Sequence, residues 1–280
     1  MSTLTEHRHD LVSASAPSSR RPGESAALRW LTSRTHPRLR LPTGLREVVL
    51  LAGLWIGYSA TRLVASNDLS SARRRAGDLL DLERLLHVDV EAWLNQAVAP
   101  VTQLAVPMAL WYASLHYLVT PAVLVFLFFR RRSDYGRARN ALAIGTAIGL
   151  LAYLLIPTAP PRLMPGGSYL DVLARTAQYG WWSTHASAPA GLGTVSNELA
   201  AMPSLHVGWA VWVAWAIWRH VGVVGRSVAS LYVTGTTIVV LATGNHWLLD
   251  AVAGAAVVTI GIVLSNRIRA GRGARPAAPS

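Results

Sequence analysis

The chain of 280 residues contains no cysteine and no lysine. Without cysteine there is neither a disulfide framework nor a thiolate metal site. Without lysine, all 26 basic residues are arginine, which genomic base composition explains most simply. Any charged side-chain contact to a phosphate therefore falls to Arg. Charged residues of either sign make up only 14% of the chain, while 52% of it is apolar. That balance argues against an ordinary soluble domain. Phenylalanine is also scarce, with three copies against eleven Trp and eight Tyr. Amphipathic rings in that proportion suit a membrane interface.

The net charge of +12 raises the question of nucleic acid. The arginines fall between apolar runs and not along one helix face or in an aromatic-studded groove. No nucleic-acid partner is expected, and the bilayer takes its place.

Residues 1–45 are rich in Ser, Pro, His and Arg without apolar periodicity, and read as a disordered cytoplasmic tail. No apolar stretch follows Arg20–Arg21 closely enough for a twin-arginine signal, and no cleavable signal peptide is expected. Six apolar segments approach the roughly 20 residues a membrane helix needs: 47–66, 108–130, 139–156, 203–219, 226–243 and 246–265. In the second, Pro107 and Pro121 threaten a break or kink. Arginine crowds the N-terminal tail, the connection "RRRSDYGRAR", the link holding Arg219 and Arg226, and the end "NRIRAGRGAR". By the positive-inside rule all four are cytoplasmic. The expected fold class is all-α, an integral membrane bundle of six transmembrane helices with both termini cytoplasmic. The bundle occupies 46–266 and a basic cytoplasmic tail 267–280. A helix over 69–86, with leucines at 79, 82, 85 and 86, either lies in the outer interface or packs on the bundle. The loop 157–202, carrying Trp181, Trp182 and His185, is a lid or a connector.

Three polar clusters stand at the outer ends of these segments: "IPTAPPRLMP" with Arg162, "AMPSLHVGWA" with Ser204 and His206, and "TGNHWLLD" with Asn245, His246 and Asp250. The topology brings all three to the extracytoplasmic level. His246 and Asp250, four residues apart, share a helix face. A carboxylate on one ring nitrogen fixes the tautomer and leaves the other as nucleophile, and His206 supplies a second imidazole as acid. Two helix N-termini and Arg162 complete an anion cradle. Such a set describes phosphoryl transfer through a phosphohistidine. Ordinary interfacial hydrogen bonding and a zinc site on His206, His246 and Asp250 are the alternatives.

These motifs resemble the type 2 phosphatidic acid phosphatase superfamily, whose signatures are an Arg-Pro element preceded by Lys, Pro-Ser-Gly-His, and Ser-Arg followed by His-x-x-x-Asp. Here "PTAPPR", "PSLH" and "HWLLD" stand in that order across residues 46 to 265. Leu205 replaces the glycine, no Lys exists, and the expected Arg falls at Val240. "PTAPP", "PSLH" and the arginine-free "GNH...D" look more like the inositol phosphorylceramide synthase branch, an inositolphosphotransferase group. Tyr112 and His116 in "WYASLHYLVTP" are similar to a Tyr-x-x-x-His element there.

The resemblance implies that His246 is the nucleophile, Asp250 its partner and His206 the acid. Arg162 and Ser204 hold phosphate oxygens, and Tyr112, His116 and Asn245 are possible substrate contacts. It implies no metal and no cofactor. The expected activity is a lipid-phosphate phosphatase or phosphotransferase in the cell membrane, acting on a phosphorylated membrane lipid at the extracytoplasmic face. Water, a polyol or a lipid alcohol is the acceptor. A lipid or anion transporter without turnover and a zinc-dependent membrane hydrolase are the rival readings.

Overall fold

A computed structural model of the chain describes residues 44–45, 47–50, 52–53, 56–57, 68–182 and 198–273. Residues 1–43 of the tail, most of the apolar segment 47–66, His185 and the last residues of the basic tail lie outside the described residues. Contacts divide the chain into residues 1–49 and 50–280, and the elements below belong to the second unit.

The described residues form helices and no strand. In order they are α1 (Leu69–Leu85), α2 (Glu91–Val98), α3 (Thr102–Arg130), α4 (Arg132–Leu155), α5 (Val172–Thr176), α6 (Leu205–Ile217), α7 (Val223–Ala242) and α8 (Leu248–Gly273). An isolated parallel bridge joins Thr158 to Ala200.

Four helices, α3, α4, α7 and α8, are long and apolar enough to cross a bilayer, which marks the chain as a membrane protein. At about 1.5 Å per residue, 20 residues reach across a hydrocarbon core of about 30 Å. Large apolar side chains such as Leu118, Phe129, Leu155, Leu231 and Val252 point outward from these helices, as lipid contact allows. Despite Pro107 and Pro121, α3 is one continuous helix of 29 residues.

Over the segment 203–219 lies α6, 13 residues that run on into a 3₁₀ turn at Trp218–His220. It is packed among α3, α4, α7 and α8. Trp212 is fully buried and its indole N–H donates to the Ala138 carbonyl of α4 at 2.8 Å. On the same helix, the Trp209 indole donates to Thr146 Oγ1 at 3.0 Å.

The N-terminus of α6 meets α8 backbone to backbone. A Cβ on Gly254 would collide with the Ser204 carbonyl, and one on Gly208 would come within 2.7 Å of the Gly254 carbonyl. The Ser204 N–H donates to the Asp250 carbonyl at 2.8 Å. Two histidine-bearing segments are thereby locked together by small residues.

Helix α1 is capped by Asp68, whose Oδ1 accepts from the Ser70 and Ser71 N–H groups at 3.1 Å each. Its inner face is Ala72, Ala76, Leu80 and Glu83, with the alanines against Ala159, Leu199 and Trp247. Leu82, Leu85 and Leu86 are exposed. The alanines let the helix lie close to the bundle while most of the leucine stripe looks away.

Candidate functional site

The third cluster hangs from a tight turn after α7. Gly244 takes φ +72°, which favours glycine, and the backbone doubles back so that the Val240 carbonyl accepts from both the Asn245 and His246 N–H groups at 3.2 Å. The position where the resemblance expects an arginine thus orients the histidine through its backbone. Its side chain is fully buried and apolar.

His246 is 3% exposed. Its Nδ1 lies 2.8 Å from the Ala201 carbonyl and 3.6 Å from Asp250 Oδ2. Both neighbours are acceptors, so the proton belongs on Nδ1 and the lone pair on Nε2. The nearer partner is the carbonyl. Ala201 is held by its N–H donating to the Thr158 carbonyl at 3.3 Å, beside a Thr158 N–H to Leu199 bond of 2.9 Å. Asp250 Oδ2 accepts from the Trp247 N–H at 2.9 Å, while Oδ1 is buried without a partner.

His206 sits in the first turn of α6, its ring centroid 5.8 Å from that of His246. Tyr112 stacks on His206 at 4.2 Å, and His116 meets it edge-on at 4.3 Å. Both come from α3. His206 Nε2 and His116 Nδ1 are buried without partners. A small cavity between α3, α6 and α7 runs along Tyr112, His116, His206, Tyr232, Thr236 and Val240. Ser204 is fully buried and its hydroxyl makes no bond within the protein.

Arg162 reaches the same place from the loop after α4. Its Nε donates to Asn245 Oδ1 at 3.0 Å and its backbone N–H to the Gly244 carbonyl at 2.9 Å. Nη1 lies 3.6 Å from Asp171 Oδ2 and 3.8 Å from Glu198 Oε1. These contacts exceed the 2.7–2.9 Å of a charge-assisted hydrogen bond, which leaves the guanidinium donor capacity for an incoming anion.

The structure therefore brings Arg162, Ser204, His206, Asn245, His246 and Asp250 together, with Tyr112 and His116 beside His206. Among the described residues no three His, Asp or Glu side chains converge as a metal-binding group. The family model of the PAP2 superfamily matches residues 77–264. The chain belongs to that superfamily. No curated protein and no solved structure matches it. Members of the PAP2 superfamily are phosphatases and phosphotransferases, so an enzyme acting on lipid phosphate is the coarse functional reading.

The departure at Leu205 has a structural counterpart. Leu205 is buried against Leu150 and Tyr153, and a Cβ on Gly149 would come within 2.7 Å of it. Gly149 on α4 leaves the space that the Leu205 side chain fills. Tyr153 secures the junction, its hydroxyl donating to the Pro203 carbonyl at 2.8 Å.

One expectation needs correcting. The N-terminus of α8 does not contribute free N–H groups to an anion cradle. Trp247, Leu248 and Leu249 donate in succession to Asp250 Oδ2, Glu91 Oε1 and Glu83 Oε1 at 2.9, 2.8 and 2.7 Å. Glu83 reads in sequence only as a counter-charge to the arginines of α1, and Glu91 carries no signal at all. Both are fully buried. Burial pushes the Glu83 carboxyl up to about 8 and raises Glu91 as well. Asn95, also missed, fastens α2 to the site: its side chain donates to the Leu170 and Ala242 carbonyls and accepts from the Leu170 N–H. No local pattern marks these residues, because their partners are 75 to 166 residues away.

Proposed function

We propose that this protein is a lipid-phosphate phosphotransferase or phosphatase that works through a phosphohistidine on His246 and without metal. The observation that carries the reading is the His246 ring, with Nδ1 committed to the Ala201 carbonyl and Nε2 left as the nucleophilic atom 5.8 Å, centroid to centroid, from a second buried imidazole. In the first step His246 Nε2 attacks phosphorus and the bond to the lipid alkoxide breaks. His206 gives that alkoxide a proton. In the second step His206 takes a proton from water or an alcohol, whose oxygen attacks phosphorus and frees His246.

Arg162 and the Ser204 hydroxyl hold phosphate oxygens, aided by the N-terminus of α6, which has no side-chain cap. Asp250 stabilises the imidazolium character that develops on His246. Arginine placement supports six spans with both termini cytoplasmic and an extracytoplasmic site in the cell membrane. The motifs like those of the inositolphosphotransferase branch support an alcohol acceptor, which Tyr112 and His116 beside His206 would contact.

The test is phosphate release in EDTA from dioleoyl phosphatidate by the purified protein, with His246→Ala as control. Release that persists in EDTA and vanishes in the variant supports the reading. Activity retained by His246→Ala, or activity lost to EDTA and restored by zinc, sinks it. If wild type releases nothing, labelled phosphodiester lipid with a polyol acceptor decides transfer, and binding without turnover in both assays means a transporter or binding protein.

A further inference from the structure

Glu83 and Glu91 approach each other across the turn between α1 and α2. Their carboxyls lie side by side, because they accept from two consecutive backbone N–H groups of α8, Leu249 for Glu83 and Leu248 for Glu91. One oxygen of each accepts from the first turn of α8, and the other, Oε2, meets no N–H donor and no water-accessible surface. Two ionised carboxylates cannot share such a space. A single proton between the two Oε2 atoms satisfies both, turning repulsion into a hydrogen bond. The groups facing the pair do not replace that proton. Asp250 of α8 and Asp89 of the α1–α2 turn add negative charge, and Tyr169 bears a hydroxyl that burial and Glu91 push up to about 12. Arg84 is the nearby cation, and its side chain is largely exposed.

The pair also sits one residue from the chemistry. Its two N–H donors, Leu248 and Leu249, lie between His246 and Asp250 in sequence. The Trp247 N–H just before them is taken by Asp250 itself. Trp247 is fully buried and its indole donates to the Ala159 carbonyl at 2.9 Å. A shift of this turn moves the imidazole relative to the Ala201 carbonyl. Helices α1 and α2, outside the four long spans, thus reach the reaction through two carboxyl groups.

We infer that Glu83 and Glu91 share one proton and act as positioning residues, clamping the first turn of α8 so that His246 and Asp250 keep their reactive geometry. Loss of that proton loosens the clamp, so the pair sets an alkaline limit on turnover. The positioning half rests on the proposed role of His246. The shared proton does not.

The full-length protein decides both halves. Because native Glu83 holds its proton above the ordinary carboxyl range, the folded state binds more protons than the unfolded one between about 4.5 and about 8. Stability from this pair is therefore full below that window and falls as pH rises through it. In Glu83→Gln the amide supplies the donor permanently, so its unfolding midpoint should fall less between pH 6 and 9 than that of wild type. Coincident slopes overturn the shared proton, whether or not the protein turns over lipid.

For dioleoyl phosphatidate turnover, Glu83→Ala and Glu91→Ala should lower kcat roughly 10- to 100-fold with KM within about two-fold. Glu83→Gln should keep wild-type kcat below pH 7 and lose the alkaline decline. If Glu83→Ala does not fold, Glu83→Gln still carries the test. An alkaline limb in Glu83→Gln identical to wild type, or an unchanged kcat in a folded Glu83→Ala, overturns the positioning role. If wild type has no turnover, the phosphotransfer reading and the positioning role fall together, and the unfolding comparison alone decides the proton.

Discussion

The two helix N-termini that meet at the site are treated in opposite ways. That of α8 is saturated: three consecutive N–H groups end on Asp250, Glu91 and Glu83. That of α6 has no side-chain cap, and the Ser204 hydroxyl beside it is buried with no partner in the protein. A buried polar group without a partner costs free energy, so the α6 end is kept in a state that a bound anion would relieve. Negative charge packed against α8 neutralises its dipole and denies a phosphate that position. One end holds the nucleophile steady, and the other is left for substrate.

The comparison breaks most severely at the two imidazoles it serves. His246→Ala and His206→Ala should each lower kcat/KM by roughly 10²- to 10⁴-fold, measured on lipid phosphate in EDTA, with the unfolding midpoint nearly unchanged. Next comes the saturated end. Asp250→Asn removes the charge beside His246 Nδ1, and a loss of roughly 10- to 100-fold in kcat is expected.

Gly254→Ala tests the junction of the two ends, since its Cβ strikes the Ser204 carbonyl. Overpacking of that kind costs about 1–3 kcal/mol and should appear as a lower unfolding midpoint. Ser204→Ala is the mildest. At the open end it should lower kcat/KM roughly ten-fold, the weight of one hydrogen bond to a charged group, and keep or slightly raise the unfolding midpoint because it removes a buried hydroxyl that makes no bond within the protein. An equal loss of stability in Ser204→Ala would mean that the two ends are not different after all.

Much of this was legible in advance. Long apolar runs predict helices because a bilayer demands internally bonded backbone, and α3, α4, α7 and α8 follow those runs closely. The packing of the segment 203–219 was not legible, for a physical reason: a helix apolar all round is either lipid-facing or buried among other helices, and hydropathy does not distinguish the two. Tyr112 and His116 were visible as a four-residue spacing on α3, whereas their stacking on His206 depends on where α6 crosses.

What the sequence determined by itself was the all-helical membrane class and the set of chemical groups, because both follow from residue type and local spacing. What only the tertiary structure decided was which partner each group has. The proton-fixing acceptor for His246 is a carbonyl 45 residues away, and the clamp on α8 comes from carboxylates 157 and 166 residues away. Hydrogen bonds of that range are set by the packing of whole helices, and no local pattern encodes them.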